Sequence, residues 1–396
     1  MENSEKILVE IIKNIISGSD CRIELYEEVG KDFLELLVDH QLDCVIFDYL
    51  YKSNSLLFKK CAIFQNWFVM YIHKMKEHDK KTNYVTKILK QIKTENIEFV
   101  LVKGLSLKDL YENPNTRLMC DIDILVRSED LDKLFPILKN EGYKLEKNRK
   151  SQTTYEFHKS GEYVIEIHHT LLPSSFETGT EFTERIWRRK VVGESGYYEM
   201  QVNDNVAYII SHIIKHVQNT GVGFRQFLDL TLFINRHMDI LIKKELTHQL
   251  QKMRILKCSS YVIELCNFYF GLDYSLDLEI DSFYVEELFN LISRSGVYGK
   301  RNKFEIESTY LRNSINTRRS GFYKLIRVAF PSKKVLSYKY PILKSYGCLL
   351  PLIWIGRIFE KIFFEKHKVN SFIHGEVDEH VLNKRIELIN FMELYN

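Results

Sequence analysis

The segment that most constrains this chain is Asp121-Ile122-Asp123-Ile124-Leu125-Val126. Side chains alternate faces along a β-strand, so Ile122, Ile124 and Val126 share one face and Asp121 and Asp123 the other. The branched residues call for a buried sheet. The same pleat fixes two carboxylates side by side, about 7 Å apart along the strand at ~3.3 Å per residue. Like charges held that close repel, and sharing divalent cations offsets the cost, because such cations take hard oxygen ligands and leave positions open for phosphate and water. Val164-Ile165-Glu166-Ile167-His168 offers a third carboxylate: Glu166 lies between two inward isoleucines and therefore faces the other way. His168 shares its face.

Upstream, Glu98-Phe99-Val100-Leu101-Val102 is a β-rich run followed by Lys103-Gly104 and a helical stretch from Ser106 to Tyr111. A helix start presents free N–H groups and the positive end of its dipole, so Gly104 and Ser106 are expected at phosphates, with Lys103 adding a point charge. Arg117, just before the second strand, has the planar fork that grips phosphate. Singly, each signal has a plain alternative: Lys-Gly an ordinary βα turn, Asp-x-Asp a solvated edge, Glu166 a solvated carboxylate. Their order along the chain makes the case.

Phe99-Val100-Leu101-Val102-Lys103-Gly104, Leu110-Tyr111, Asn115 through Val126 and Glu141-Gly142-Tyr143, taken together, resemble the uncharacterised-type nucleotidyltransferases of the DNA polymerase β-like superfamily. The resemblance extends over Ile165-Glu166-Ile167-His168, a helix bearing His212 and His216, and Arg225-x-x-x-Asp229 on the next helix, and covers most of the chain. It implies an α+β fold: a small polymerase β-like nucleotidyltransferase core, a mixed sheet with helices, flanked by N-terminal and C-terminal helical regions. It further implies Asp121, Asp123 and Glu166 as catalytic metal ligands for two magnesium ions, with manganese as the alternative. Lys103, Gly104, Ser106, Arg117, His216, Arg225 and Asp229 would face the nucleotide, expected to be ATP. One departure stands out: the superfamily usually carries Gly-Ser at the phosphate turn, whereas Leu105 follows Gly104 and the serine arrives at Ser106.

Four regions follow from the patterning. Residues 1–95 read as helices, with one apolar face through Ile7, Leu8, Ile11, Ile12, Ile15 and Ile16 that stops at Gly18. Residues 96–202 form the α/β core, with further strands near 143–147, 153–158 and 163–169. Residues 203–300 return to helical periodicity, in segments near 204–218, 223–237, 241–252, 255–270 and 283–293. Residues 301–396 are basic and broken by Pro331, Pro341 and Pro351. With 28% charged residues and six prolines, no large disordered portion is expected. His212 and His216, at i and i+4, lack the acidic neighbour of a zinc-protease helix and read as a polar wall of the pocket or as structural histidines. Arg225 and Asp229 have the spacing of an intrahelical ion pair.

Seven scattered cysteines without a CxxC pair, and an N-terminus unlike a signal peptide, point to a reducing cytoplasm. The longest apolar run, Cys348 to Gly356, contains Pro351 and falls short of the ~20 residues of a membrane span. From Ser308 through Phe359 there is no acid, and ten Lys and Arg are interleaved with aromatics. Such a stretch suits nucleic acid or another polyanion, a phosphorylated substrate or an anionic membrane surface, or else a solvated basic face.

The expected reaction moves a nucleoside monophosphate from an NTP to an acceptor hydroxyl or phosphate with loss of pyrophosphate; the acceptor is open. The alternatives are another group transfer onto a peptide or phosphorylated natural product, and a non-catalytic nucleotide-binding or regulatory protein. Because Asp121 and Asp123 repel, Asp123→Asn is expected to leave the metal-free protein at least as stable as its parent.

Overall fold

Apolar residues three and four apart build the N-terminal quarter from helices α1 (Asn3–Ser17), α2 (Ile23–Glu28), α3 (Lys31–Asp39), α4 (Asp43–Phe58) and α5 (Phe64–Thr94). In α1, Ile7, Leu8, Ile11 and Ile12 are buried, and Gly18 ends the helix in the left-handed conformation at φ 68°, which costs glycine nothing. The computed structural model of the chain describes residues 2–146, 154–172, 179–219 and 221–297, with isolated positions beyond. The chain divides into two compact units, Met1–Arg301 with Asn396 and Asn302–Tyr395, and the first holds the sheet together with the helices before and after it. The basic segment 308–359 falls outside the described residues except at positions 351 and 354.

The core follows as β1 (Phe99–Val102), α6 (Gly104–Leu107), β2 (Asp121–Val126), α7 (Leu131–Asn140), β3 (Lys144–Leu145), β4 (Thr154–His158), β5 (Val164–His168), α8 (Gly179–Arg189), β6 (Val191–Val192) and β7 (Tyr198–Glu199). These strands form one mixed sheet in the order β3-β4-β5-β2-β1-β7-β6. The pairs β2–β5 and β1–β7 are parallel, and the rest are antiparallel. C-terminal to the sheet come α9 (Val202–Asn219), α10 (Phe224–His237), α11 (Lys243–Lys252), α12 (Leu256–Phe270) and α13 (Ser282–Ser295). The mixed sheet with helical regions before and after it is the expected fold class.

The alternation along β2 sorts the sheet into two faces. Ile122, Ile124 and Val126, with Phe99 and Leu101 of β1 and Ile165 and Ile167 of β5, join one buried cluster with Val85, Ile88, Leu89 and Ile92 of α5 and Leu134, Ile137 and Leu138 of α7. Each fully buried Ile or Leu contributes roughly 1.5–3 kcal/mol of transfer free energy, so a slip of one residue in β2 would expose the apolar set and bury the acids. The opposite face carries Asp121, Asp123, Glu166 and His168 beside the buried Val100, Val102 and Leu125.

Three elements escaped the sequence reading. Helix α8 carries Glu181, Glu184, Arg185, Arg188 and Arg189 among only three large apolar residues, Phe182, Ile186 and Trp187, all of which are buried. Strands β6 and β7 are two residues each, too short for periodicity to register.

Candidate functional site

Register brings the three acids together. β2 runs parallel to β5 with Asp123 opposite Glu166, and β4 lies antiparallel to β5 with Glu156 opposite Glu166. Directly opposed residues point to the same side of a sheet, so Asp121, Asp123, Glu166 and Glu156 form an acidic floor. Across from it stands one face of α9, carrying Tyr208, Ser211, His212, Lys215 and His216, and the first turn of α10 adds Arg225. These residues, with Lys103, Gly104, Met119 and Leu171, line a cavity of about 290 Å³.

Lys103 spans the cavity. Its Nζ donates to Asp123 Oδ1 at 2.9 Å, meets His212 Nε2 at 3.1 Å and lies 5.9 Å from the centre of the Tyr208 ring. An ammonium has only donors, so His212 must accept through Nε2 and carry its own proton on Nδ1. His216 Nε2 lies 3.0 Å from the same nitrogen, beside the Lys103 contact. His212 thus touches the Lys103 ammonium, and His216 touches His212. Burial, reinforced by the Lys103 charge, pushes His212 well below its ordinary range and His216 down to about 3, so both stay neutral. Lys103 has φ 53° and ψ −130°, a conformation that a residue with a Cβ adopts at a cost of order 1–3 kcal/mol. Ser106 N–H and Oγ–H both donate to the Lys103 carbonyl, at 2.8 and 2.7 Å, and hold the turn. The Ser106 hydroxyl is thus engaged within the turn.

The two aspartates differ. Burial disfavours ionisation of Asp123, but the Lys103 charge and the His168 hydrogen bond outweigh it and hold the carboxyl well below the usual range. His168 Nε2 sits 2.8 Å from the same Oδ1. For Asp121, burial and the charges of Asp123 and Glu166 push the other way, and the carboxyl is raised despite Lys103 and Arg225 nearby. The repulsion read from the sequence therefore rests on Asp121. The stability expected of Asp123→Asn is corrected accordingly, since Asp123 is the anchored member of the pair.

Arg117 is 3% exposed and all three nitrogens of its fork are engaged: Nε and Nη2 donate to Asp229 Oδ1 and Oδ2, both at 2.8 Å, and Nη1 donates to the Gly104 carbonyl at 3.1 Å. Tyr111 also donates to Asp229 Oδ1, at 2.7 Å. Asp229 thus pairs with Arg117 across 112 residues, in place of the intrahelical pair with Arg225 that spacing favoured. Arg225 instead donates to the Leu118 carbonyl. Helix α6 is four residues long, so the dipole expected at Gly104 is small, and cationic side chains dominate the charge on that side. A Cβ on Gly104 would lie 3.2 Å from Met119 Sδ and 3.6 Å from the Asp121 carbonyl, so glycine lets the turn press against the entry to β2.

Asp121, Asp123, Glu166, Lys103, Gly104, Arg117, His216, Arg225 and Asp229 all line the one cavity, and Ser106 holds the Lys103 turn beside it. Tyr208, Lys215, Glu156 and Thr154 were missed. The first two continue the His212–His216 stripe at helical spacing, a signal present in the sequence; Glu156 and Thr154 depend on β4–β5 register. The donor set suits a hard divalent cation: carboxylates clustered on one buried face, one of them with its charge incompletely compensated. With this geometry in view, the family model described as "uncharacterised nucleotidyltransferase" matches residues 29–271, more than half of the chain and every residue of the cavity. No curated protein matches the chain.

Proposed function

The chain belongs to this nucleotidyltransferase family, and from that premise we propose that it transfers a nucleoside monophosphate from an NTP, ATP foremost, to an acceptor oxygen with release of pyrophosphate. The observation that carries the reading is the polarised cavity: Asp121, Asp123 and Glu166 on a strand-paired floor, facing Lys103, Lys215 and Arg225. Asp121, Asp123 and Glu166 would hold divalent cations, magnesium or manganese, which supply charge neutralisation at the phosphates and a lowered acceptor pKa.

The chain's own residues bind and orient. Lys103 and Lys215 neutralise charge on the departing pyrophosphate, where interactions that strengthen in the transition state count most. Arg117, locked on Asp229, holds the Gly104 carbonyl and thereby the turn beneath the phosphates. His212 and His216, neutral and mutually bonded, keep the ammonium of Lys103 aimed into the cavity. The acceptor oxygen attacks the α-phosphorus in line as the bond to the β-phosphate oxygen breaks, and the acceptor's proton is lost to solvent.

A carboxylate floor without cations repels a triphosphate, so nucleotide should bind weakly in EDTA and tightly with magnesium. Calorimetry with a non-hydrolysable ATP analogue checks this. Equal affinity in both conditions would sink the reading.

A further inference from the structure

His168 occupies a position that orienting a carboxylate does not fully explain. It follows Glu166 by two residues on β5 and shares its face. Its side chain is 9% exposed, and Nε2 lies 2.8 Å from Asp123 Oδ1 and 3.5 Å from Glu166 Oε2. One donor atom from each of Asp123, Glu166 and His168 falls within 4.8 Å of the others. Neighbouring ligands around an octahedral cation at ~2.1 Å are separated by about 3.0 Å, which the two distances from His168 bracket. Asp123 Oδ1 already accepts from a cation, the Lys103 ammonium at 2.9 Å. The other ring nitrogen is within reach of a partner: Nδ1 lies 3.1 Å from Thr154 Oγ1, a hydroxyl able to accept the second N–H of a histidine that ligates through Nε2.

We propose that His168 Nε2 is a direct ligand of the cation bound by Asp123 and Glu166, making this a mixed nitrogen–oxygen site that favours Mn2+ over Mg2+. The inference rests on the reading of the floor as a divalent-cation site and specifies its ligand set and metal. Carboxylate oxygens suit Mg2+ and Mn2+ alike, whereas imidazole favours the transition metal, and Mn2+ satisfies both donor types. An imidazole that only orients Asp123 would keep a proton on Nε2 and leave the site with oxygen donors alone.

The test is pulsed electron paramagnetic resonance on metal-free protein given Mn2+ alone. Strong 14N modulation from a directly bound imidazole is expected in the wild type, absent in His168→Gln and retained in His216→Gln. In titrations, His168→Gln should weaken Mn2+ binding by about 10- to 100-fold and Mg2+ binding by less. Bound Mn2+ with no nitrogen coupling in the wild type would overturn the proposal without any variant having to fold, as would coupling that survives in His168→Gln. Those results leave the divalent-cation reading standing. Failure of the wild type to bind Mn2+, or equal binding by Asp123→Asn, would overturn both.

Discussion

Asp121 and Asp123 lie two residues apart on one strand face, yet neutralising them should move stability in opposite directions. Asp123 is 3% exposed, and its Oδ1 accepts from Lys103 at 2.9 Å and His168 at 2.8 Å. Hydrogen bonds to charged groups contribute ~1.5–3 kcal/mol each, and Asn keeps the shape while discarding the charge, so Asp123→Asn weakens both bonds and leaves the largely buried Lys103 ammonium short of its counter-ion. A loss of about 2–4 kcal/mol in the metal-free protein follows. Asp121 is raised by burial and by its two acidic neighbours, so Asp121→Asn removes a destabilising charge and should gain about 1–3 kcal/mol at pH 7.5. The sign follows from linkage: a carboxyl whose folded pKa is raised destabilises the fold increasingly as pH climbs past its unfolded value, so the gain should vanish near pH 4. At roughly 2–4 °C per kcal/mol, calorimetric melts in EDTA should place the two variants some 6–28 °C apart, with the parent between them. Both should lose ~10² to 10⁴ in magnesium-dependent rate, because each ~1.4 kcal/mol of lost transition-state stabilisation is tenfold. Asp123→Asn melting at or above the parent would refute this account of how Lys103 and His168 anchor the site.

Three further outcomes are expected. Arg117→Ala leaves the Asp229 charge buried with only Tyr111 as donor, which should cost about 3–5 kcal/mol by denaturant unfolding, and Arg117→Met with Asp229→Leu should recover part of that loss. Burial first, then the Arg117 charge, lowers His78 to about 4, and its Nε2 is buried without a hydrogen-bond partner among the described residues. The folded state therefore binds fewer protons than the unfolded one between about pH 6.5 and 4, so stability from this source is complete above pH 6.5 and is lost as pH falls through that window; urea midpoints should drop from pH 7 to 5, and His78→Gln should flatten the slope. Gly104→Ala should cost about 1 kcal/mol or less in stability, since the flexible Met119 side chain can yield, while slowing turnover measurably because the turn shifts against the entry to β2; unchanged kinetics would remove that turn from the site.

The parts of this molecule legible in its sequence are those set by local periodicity. Strand β2 announces its own faces, and α9, α10 and α12 end within a few residues of where their apolar spacing stops. The pairing of Asp123 with Glu166 was inferred only as a shared chemistry; the parallel β2–β5 register that makes it physical joins residues 43 positions apart and leaves no local trace. Spacing misled at Arg225 and Asp229, because the one-turn rule describes isolated helices and a buried carboxylate takes the better bidentate partner wherever the fold supplies it. The positive φ of Lys103 was likewise invisible, since lysine is not a residue that signals the left-handed region. The opposed roles of the two aspartates depend on which of them the Lys103 and His168 side chains reach, which is a tertiary fact.

The central claim is that the protein transfers the α-phosphorus of a nucleotide at the β2–β5 floor, whose carboxylates would hold divalent cations that supply charge neutralisation. Purified protein incubated with magnesium, a cell extract and ATP labelled at either the α- or the γ-phosphate measures this directly. Label from the α-position should become fixed to an extract component and label from the γ-position should leave as pyrophosphate, with both effects lost in Asp123→Asn. Label fixed from the γ-position, or α-label fixed equally well by Asp123→Asn, would contradict the account.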